Sequence, residues 1–235
     1  MVAAILTIGN ELVSGDVANT NASWLAKRLE SLGVRVVLAA SVPDELDRIV
    51  DFIQREAPRV DHLLVTGGLG GTPDDITREA VSAAFGVAQE RVPELADQLR
   101  ARFTRAPEYA ARWADLPAGS TPLDKPAVGA PGFRIENVWV FPGLPPEMEQ
   151  MFDYYSESFR AGNAIGVWRQ LYRTGESQIA AILVEATDRW PAVSVGSYPS
   201  FFSDGPQVEV VLKSSDEAAL AEAVAFVGPA IGALA

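Results

Sequence analysis

The apolar residues of the N-terminal half fall into short unbroken runs, separated by stretches with helical spacing. Ala3–Ile8 is one such run and ends at Gly9, the pattern of a parallel strand buried on both faces. After a polar loop, Leu25, Leu29 and Leu32 recur at helical spacing within Ala22–Leu32, and Gly33 closes that helix. Val34–Ala39 reads as a second strand. Pro43 opens a helix in which Leu46, Ile49, Val50 and Ile53 share one face. His62–Thr66 is a third strand, broken by Gly67-Gly68-Leu69-Gly70-Gly71, with a helix from about Asp75 to Phe85 and Gly86 as its cap. Strands alternating with helices on short connections predict an α/β fold with a parallel sheet covered on both faces.

Beyond Pro93 the chain reads as helical to Trp113, interrupted at Pro107, and then as a Pro/Gly-rich stretch from Leu116 to Phe133. Phe133–Ile135 and Val138–Phe141 form a strand pair across Glu136-Asn137. Pro145–Arg160 follows as a helix with Met148, Met151, Phe152 and Tyr155 on one side. Ala161–Ala164 is the expected linker, dividing the chain into a domain at 1–163 and a smaller one at 164–235. The tail repeats the alternation as βαββα: Val167–Arg173, Ser177–Thr187, Val193–Ser197, Val208–Lys213 and Asp216–Phe226.

Composition narrows the chemistry. The chain of 235 residues has no cysteine and one histidine, His62, so disulfides, thiolate zinc sites and cysteine nucleophiles are excluded. A Ser-His-Asp triad has only His62 to draw on, and that residue reads as part of a strand. The five tryptophans are scattered and read as packing rather than a base-stacking platform. The formal net charge of −12 argues against nucleic acid and anionic membrane surfaces as partners. No apolar run approaches a membrane span and the N-terminus lacks a signal-peptide pattern, so a cytoplasmic location is expected.

Carboxylates and backbone amides are what remain for catalysis. The glycine run between a strand and a helix, Thr66-Gly67-Gly68-Leu69-Gly70-Gly71, exposes N–H groups suited to phosphate. It matches neither a Walker A loop nor a dinucleotide fingerprint, and it also reads as a tight turn with Asp74 or Asp75 as an N-cap. Ligands of open parallel sheets gather beyond the carboxyl ends of the strands, where Glu11, Asp44 and Asp75 all fall. Together they offer hard oxygen ligands for a divalent cation such as Mg²⁺; singly, Asp44 and Asn21 also read as helix starts. Lys125-Pro126-Ala127-Val128-Gly129 and Pro142-Gly143-Leu144-Pro145-Pro146-Glu147 offer stiff walls, and Lys125 offers a cation for phosphate or a solvated loop charge.

Five ordered motifs carry a family resemblance: Ile8-Gly9-Asn10-Glu11-Leu12-x-x-Gly15 with Asn19-Thr20-Asn21; Thr66-Gly67-Gly68-Leu69-Gly70 with Asp74-Asp75-x-Thr77; Ala130-Pro131-Gly132-Phe133; Pro142-Gly143-x-Pro145-x-Glu147-Met148; and Val195-Gly196-Ser197-Tyr198-Pro199. The chain resembles the MoaB/Mog-type molybdopterin-binding fold, and more narrowly the CinA family's N-terminal part and the related domain of eukaryotic FAD synthase. The resemblance implies a three-layer, mostly parallel α/β domain followed by a small α+β KH-like subdomain. It implies a homodimer or homotrimer with a nucleotide or pterin at the loops, and metal-dependent cleavage of ADP-ribose or FAD. Asp44 and Asp75 match the family's catalytic and metal-binding aspartates, with Glu11 as a further ligand or base. Gly9, Asn10, Ser14, Asn21, Thr66, Gly67, Gly68, Leu69, Gly70, Asp74, Pro142, Gly143 and Glu147 match its ligand-binding positions.

Two alternatives follow from the same resemblance: a pterin-binding protein without turnover, and an interaction module for a separate nicotinamide-nucleotide deamidase. The complete CinA architecture carries such a deamidase domain, for which these residues show no counterpart. The sequence also departs from the family. Gly71 stands where a proline is usual, which implies a looser loop, and the Lys125–Gly129 segment replaces an Asn-Pro-Val-Gly-Thr-like one. The tail lacks a Gly-x-x-Gly clamp and carries four basic against eight acidic residues from Trp168 onward, which makes it a poor RNA binder.

Overall fold

A computed structural model describes residues 1–127, 129–202 and 205–234, so Val128 in the Lys125–Phe133 segment and Asp204 in the acidic tail lie outside the described residues. The chain divides into two compact units, Met1–Ala161 and Gly162–Ala235. The first unit is built on a six-stranded sheet of order β2-β1-β3-β8-β7-β6. Its strands are β1 (Val2–Ile8), β2 (Arg35–Val42), β3 (His62–Thr66), β6 (Thr121–Leu123), β7 (Gly132–Ile135) and β8 (Val138–Phe141). β2, β1, β3 and β8 run parallel, whereas β7 pairs antiparallel with both β8 and β6.

Side-chain alternation along the central strands divides the core between two faces. Ala4, Leu6 and Ile8 of β1, with Leu63, Val65, Val138 and Val140, pack against α3 (Leu46–Glu56), α4 (Thr77–Phe85) and α5 (Pro93–Arg102). Ala3, Ile5, Leu64, Trp139 and Phe141 turn the other way, against α2 (Thr20–Ser31) and α7 (Pro145–Tyr155). Burial on both sides explains why these strands are continuous apolar runs, and each fully buried Leu or Phe contributes about 1.5–3 kcal/mol. His62 belongs to this packing: its ring meets Phe159 and Trp139 edge-on, its nitrogens have no hydrogen-bond partner, and burial lowers its pKa.

Several expectations are corrected. The polar loop after β1 contains a one-turn helix, α1 (Asn10–Ser14). The N-cap of α2 is Asn19, which accepts the Ala22 N–H, and not Asn21. α4 begins at Thr77 with Ile76 as its N-cap, so neither Asp74 nor Asp75 caps it. Likewise α3 begins at Leu46 with Glu45 as its N-cap, leaving the Asp44 carboxylate to other partners. The region 93–113 is two helices, α5 and α6 (Pro107–Ala111), because Pro107 starts a new helix instead of kinking one. A small ladder of β4 (Gln89–Arg91) with β5 (Asp115–Pro117) brackets them, closed by a bidentate pair of Arg91 with Asp115.

The second unit follows the expected βαββα order. β9 (Gly166–Tyr172), β10 (Ser194–Phe202) and β11 (Gly205–Ser214) form an antiparallel sheet of order β10-β11-β9. α8 (Glu176–Arg189) and α9 (Glu217–Gly232) supply Ile179, Leu183, Ala223, Val227 and Ile231 to a core with Val208, Val210 and Leu212. α9 runs past the expected end at Phe226 and contains Pro229 in its last turns. Among the described residues no helix is long and apolar enough to cross a membrane.

Candidate functional site

A cavity of about 530 Å³ opens beyond the carboxyl ends of β1, β3 and β8. This is where parallel topology leaves strand-end loops free to converge. Two asparagines near the start of α2 hold the strand ends in place. Asn19 donates to Thr7 Oγ1 at 2.7 Å and Ser41 Oγ at 3.0 Å, tying β1 to β2. Asn21 donates to Gly143 O at 2.8 Å and Thr66 Oγ1 at 3.2 Å, while Thr66 donates to Pro142 O at 2.6 Å, tying β3 to β8. The Asn21 Oδ1 is buried and has no partner.

The glycine loop has a built architecture of its own. Asp75 accepts the N–H groups of Gly70 at 2.9 Å and Thr72 at 2.8 Å, together with the Thr72 hydroxyl. Arg78, 6% exposed, donates to the carbonyls of Leu69 at 2.8 Å and Gly70 at 3.0 Å. Thr77 adds a hydroxyl bond to Gly67 O and an N–H bond to Gly68 O. The Gly67 N–H is spent on Phe141 O. The amides left without a protein partner among the described residues are therefore those of Gly68, Leu69 and Gly71, fewer than the whole run expected to hold phosphate.

Four carboxylates on the loops after β1, β2 and β3, Glu11, Asp44, Asp74 and Asp75, line the same cavity. Asp44 accepts the Asn10 N–H at 2.8 Å, and Asn10 Oδ1 accepts the Asp44 N–H in return. Burial pushes the Asp44 pKa up, the Asn10 bond pulls it down, and the charges of Glu11, Asp74 and Asp75 push it up further. None of the four forms an ion pair with Lys or Arg among the described residues. Nor, among those residues, do three acidic or histidine side chains come together as a protein-only metal site. Glu147, in the first turn of α7, is a fifth carboxylate of the lining, its pKa raised by burial against the opposing charge of Arg102.

Of the residues singled out in the sequence, Gly9, Asn21, the stretch 66–70, Pro142 and Gly143 also line this cavity. Asn10 and Ser14 do not: Asn10 serves Asp44, and the Ser14 hydroxyl turns back to Asp16 at 2.6 Å. Lys125 is also absent from the lining and pairs loosely with Asp124 at 3.8 Å. Sequence reasoning missed Arg78, which resembles any solvated helix residue, and Asn19, which looked like part of a loop. It also missed the aromatic wall of Phe103 and Trp113, whose rings meet at 5.0 Å.

Comparison with known proteins decides the family. The profile described as "Probable molybdopterin binding domain" matches residues 4–160, most of the chain and all of the site. The chain belongs to that family. A second profile, the FAD synthase middle domain, matches residues 169–233. A CinA-like protein of Frankia casuarinae is 37% identical over 229 residues, covering 89% of this chain and 53% of the relative. A protein of Archaeoglobus fulgidus is 33% identical over 202 residues, covering 83% of this chain and 84% of its own length. The crystal structure of CinA from Thermoplasma acidophilum, titled as of unknown function, superposes with a TM-score of 0.63 at 27% identity, covering 67% of this chain and 97% of that one. The chain spans about half the length of the CinA-like relatives it matches. For this molybdopterin-binding family member, the strand-end cavity is the part of the fold on which function must be argued.

Proposed function

We propose that this chain hydrolyses the diphosphate of a nucleotide of the ADP-ribose or FAD class, assisted by a divalent cation. The observation that carries this reading is the pairing, across one cavity, of loop amides without a protein partner and carboxylates that form no ion pair with Lys or Arg among the described residues. The amides of Gly68 and Leu69, which line the cavity, suit phosphate oxygens. Asp44, held in place by the Asn10 N–H, would orient the attacking water through the cation. Glu11 is the candidate to take the proton from that water.

The oxygen donors fit a hard cation that completes its shell with water and phosphate oxygens, as Mg²⁺ commonly does. They do not fit a cation held by three protein carboxylates. Asp44 and Asp75 would hold the ion, which supplies charge neutralisation at the bridging oxygens. The match of the tail to an FAD synthase domain and the CinA-like relatives support a nucleotide-related role.

The test is a screen of ADP-ribose, FAD and NAD against Mg²⁺ and Mn²⁺, with AMP release as the readout and Asp44→Asn as the control. Release that requires both metal and Asp44 is the expected result. The second reading is pterin binding without turnover, which the family description and the aromatic wall of Phe103 and Trp113 favour. Tight pterin binding with no AMP release under any metal would establish it instead.

A further inference from the structure

Beside the cavity lies a second hollow of about 450 Å³, walled by Phe103, Arg105, Tyr109 and Trp113. Phe103 and Trp113 line both. Tyr109 and Trp113 also border a recess at the far side of the glycine loop, next to Gly70, Gly71 and Asp75. A single short segment thus presents three aromatic rings to the edge of the phosphate loop.

Two observations point to a ligand in this hollow. The Tyr109 ring lies directly on Gly71, where an added Cβ would come within 2.5 Å of Cε1 and Oη, yet the residue remains 45% exposed. On a chain of net charge −12, Arg105 of the hollow and Arg112 of the recess beside Gly71 form no ion pair among the described residues, and Arg112 sits 5.9 Å from the centre of the Tyr109 ring. Glu108, their acidic neighbour in sequence, is already engaged by Arg100.

We propose that this hollow is the subsite for the heteroaromatic ring of a nucleotide whose diphosphate lies on the glycine loop. Tyr109 and Trp113 supply the ring faces, and Arg105 and Arg112 meet the ligand's negative charge. The volume suits a base with its sugar, and planar rings are held by aromatic faces and arginine without demanding one base. The main cavity, lined by five carboxylates, is the poorer home for such a ring. The inference rests on reading the cavity as a diphosphate site.

Calorimetric titration of the full chain in Mg²⁺ tests it, with ADP and pyrophosphate as probes and Tyr109→Ala, Tyr109→Phe and Arg105→Ala as variants. The expected result is an ADP Kd roughly tenfold weaker in Tyr109→Ala and several-fold weaker in Arg105→Ala. Tyr109→Phe should bind ADP as the parent does, and pyrophosphate affinity should be the same in the parent and both Tyr109 variants and weaker in Arg105→Ala. ADP affinity indifferent to both alanine variants, with pyrophosphate still bound, overturns the ring subsite and leaves the diphosphate reading standing. Pyrophosphate that fails to bind while ADP binds through Tyr109 overturns the diphosphate reading and keeps the ring subsite. Binding of neither probe overturns both.

Discussion

Asp75 and Arg78 grip the glycine loop from opposite chemical sides: the carboxylate takes the N–H groups of Gly70 and Thr72, and the guanidinium takes the carbonyls of Leu69 and Gly70. The arginine is buried, so its loss strands two carbonyls in a space that water does not readily fill. Arg78→Ala is expected to cost about 2–3 kcal/mol of stability. Arg78→Lys recovers only part of this, since an ammonium lacks the planar fork that reaches both oxygens. Urea denaturation of the two variants measures the difference; equal stability of Arg78→Lys and the parent would contradict the two-carbonyl role. Because Asp75 also shapes the loop, Asp75→Asn perturbs structure and ligand binding at once, and Asp44→Asn is the cleaner probe of chemistry.

Gly67 is the glycine of the loop that tolerates substitution least. Its φ is +109°, and a Cβ there would overlap the Ile8 carbonyl oxygen of the neighbouring strand. Gly143 approaches the same residue from β8, so the backbones cannot part without breaking the sheet end. Gly67→Ala combines a left-handed backbone with a backbone collision, and about 3 kcal/mol or more of destabilisation is expected. Gly15→Ala has a comparable positive φ of 84° but open space around it, and is expected to cost about 1 kcal/mol. Thermal unfolding of the pair checks the order.

The centre of the sheet is legible in the sequence because β1, β3 and β8 are buried on both faces and must be apolar throughout. The polar three-residue strand Gln89–Arg91 leaves no such signal, and its partner Asp115–Pro117 lies inside a Pro/Gly-rich stretch. α1 spans five residues, too few for periodicity to register. The acidic residues of the cavity are legible as a group, because strand order places their loops together, but their separate duties are not. Asn19 and Asn21 are alike in sequence, yet one caps a helix and the other bridges to Gly143, 122 positions away. The Phe103 and Trp113 wall escaped notice because aromatic residues in an interrupted helical stretch carry no mark of the cavity they reach.

The departure at Gly71 has a structural counterpart. The Tyr109 ring occupies the space that a side chain at 71 would need, so a looser loop is not the only consequence of the glycine. Gly71→Ala should displace the ring and destabilise the protein by about 1–2 kcal/mol. In a Tyr109→Ala background the same change should be close to neutral, giving a coupling of about 1–2 kcal/mol in a double-mutant cycle. Additive effects would show that the ring and residue 71 do not compete for space.

Asp44 joins stability and activity with opposite signs. Its folded-state pKa is raised, chiefly by burial and further by Glu11, Asp74 and Asp75. The stability linked to its protonated form is therefore complete below the ordinary carboxylate range and lost as pH rises through the raised value. At pH 7 the ionised group is a liability, reduced by its partial exposure. Asp44→Asn should raise the Tm at pH 7 and leave it unchanged near pH 3. Activity should run the other way. Turnover needs the carboxylate, so the rate should fall as pH drops through a value above the usual range, and raising Mg²⁺ should move that limb to lower pH by favouring the ionised form. The cation should also stabilise the parent and lose much of that effect in Asp44→Asn, because only the parent offers it this carboxylate. A rate that holds down to the ordinary carboxylate range, with the same Mg²⁺-induced rise in Tm in both proteins, would remove Asp44 from the reaction.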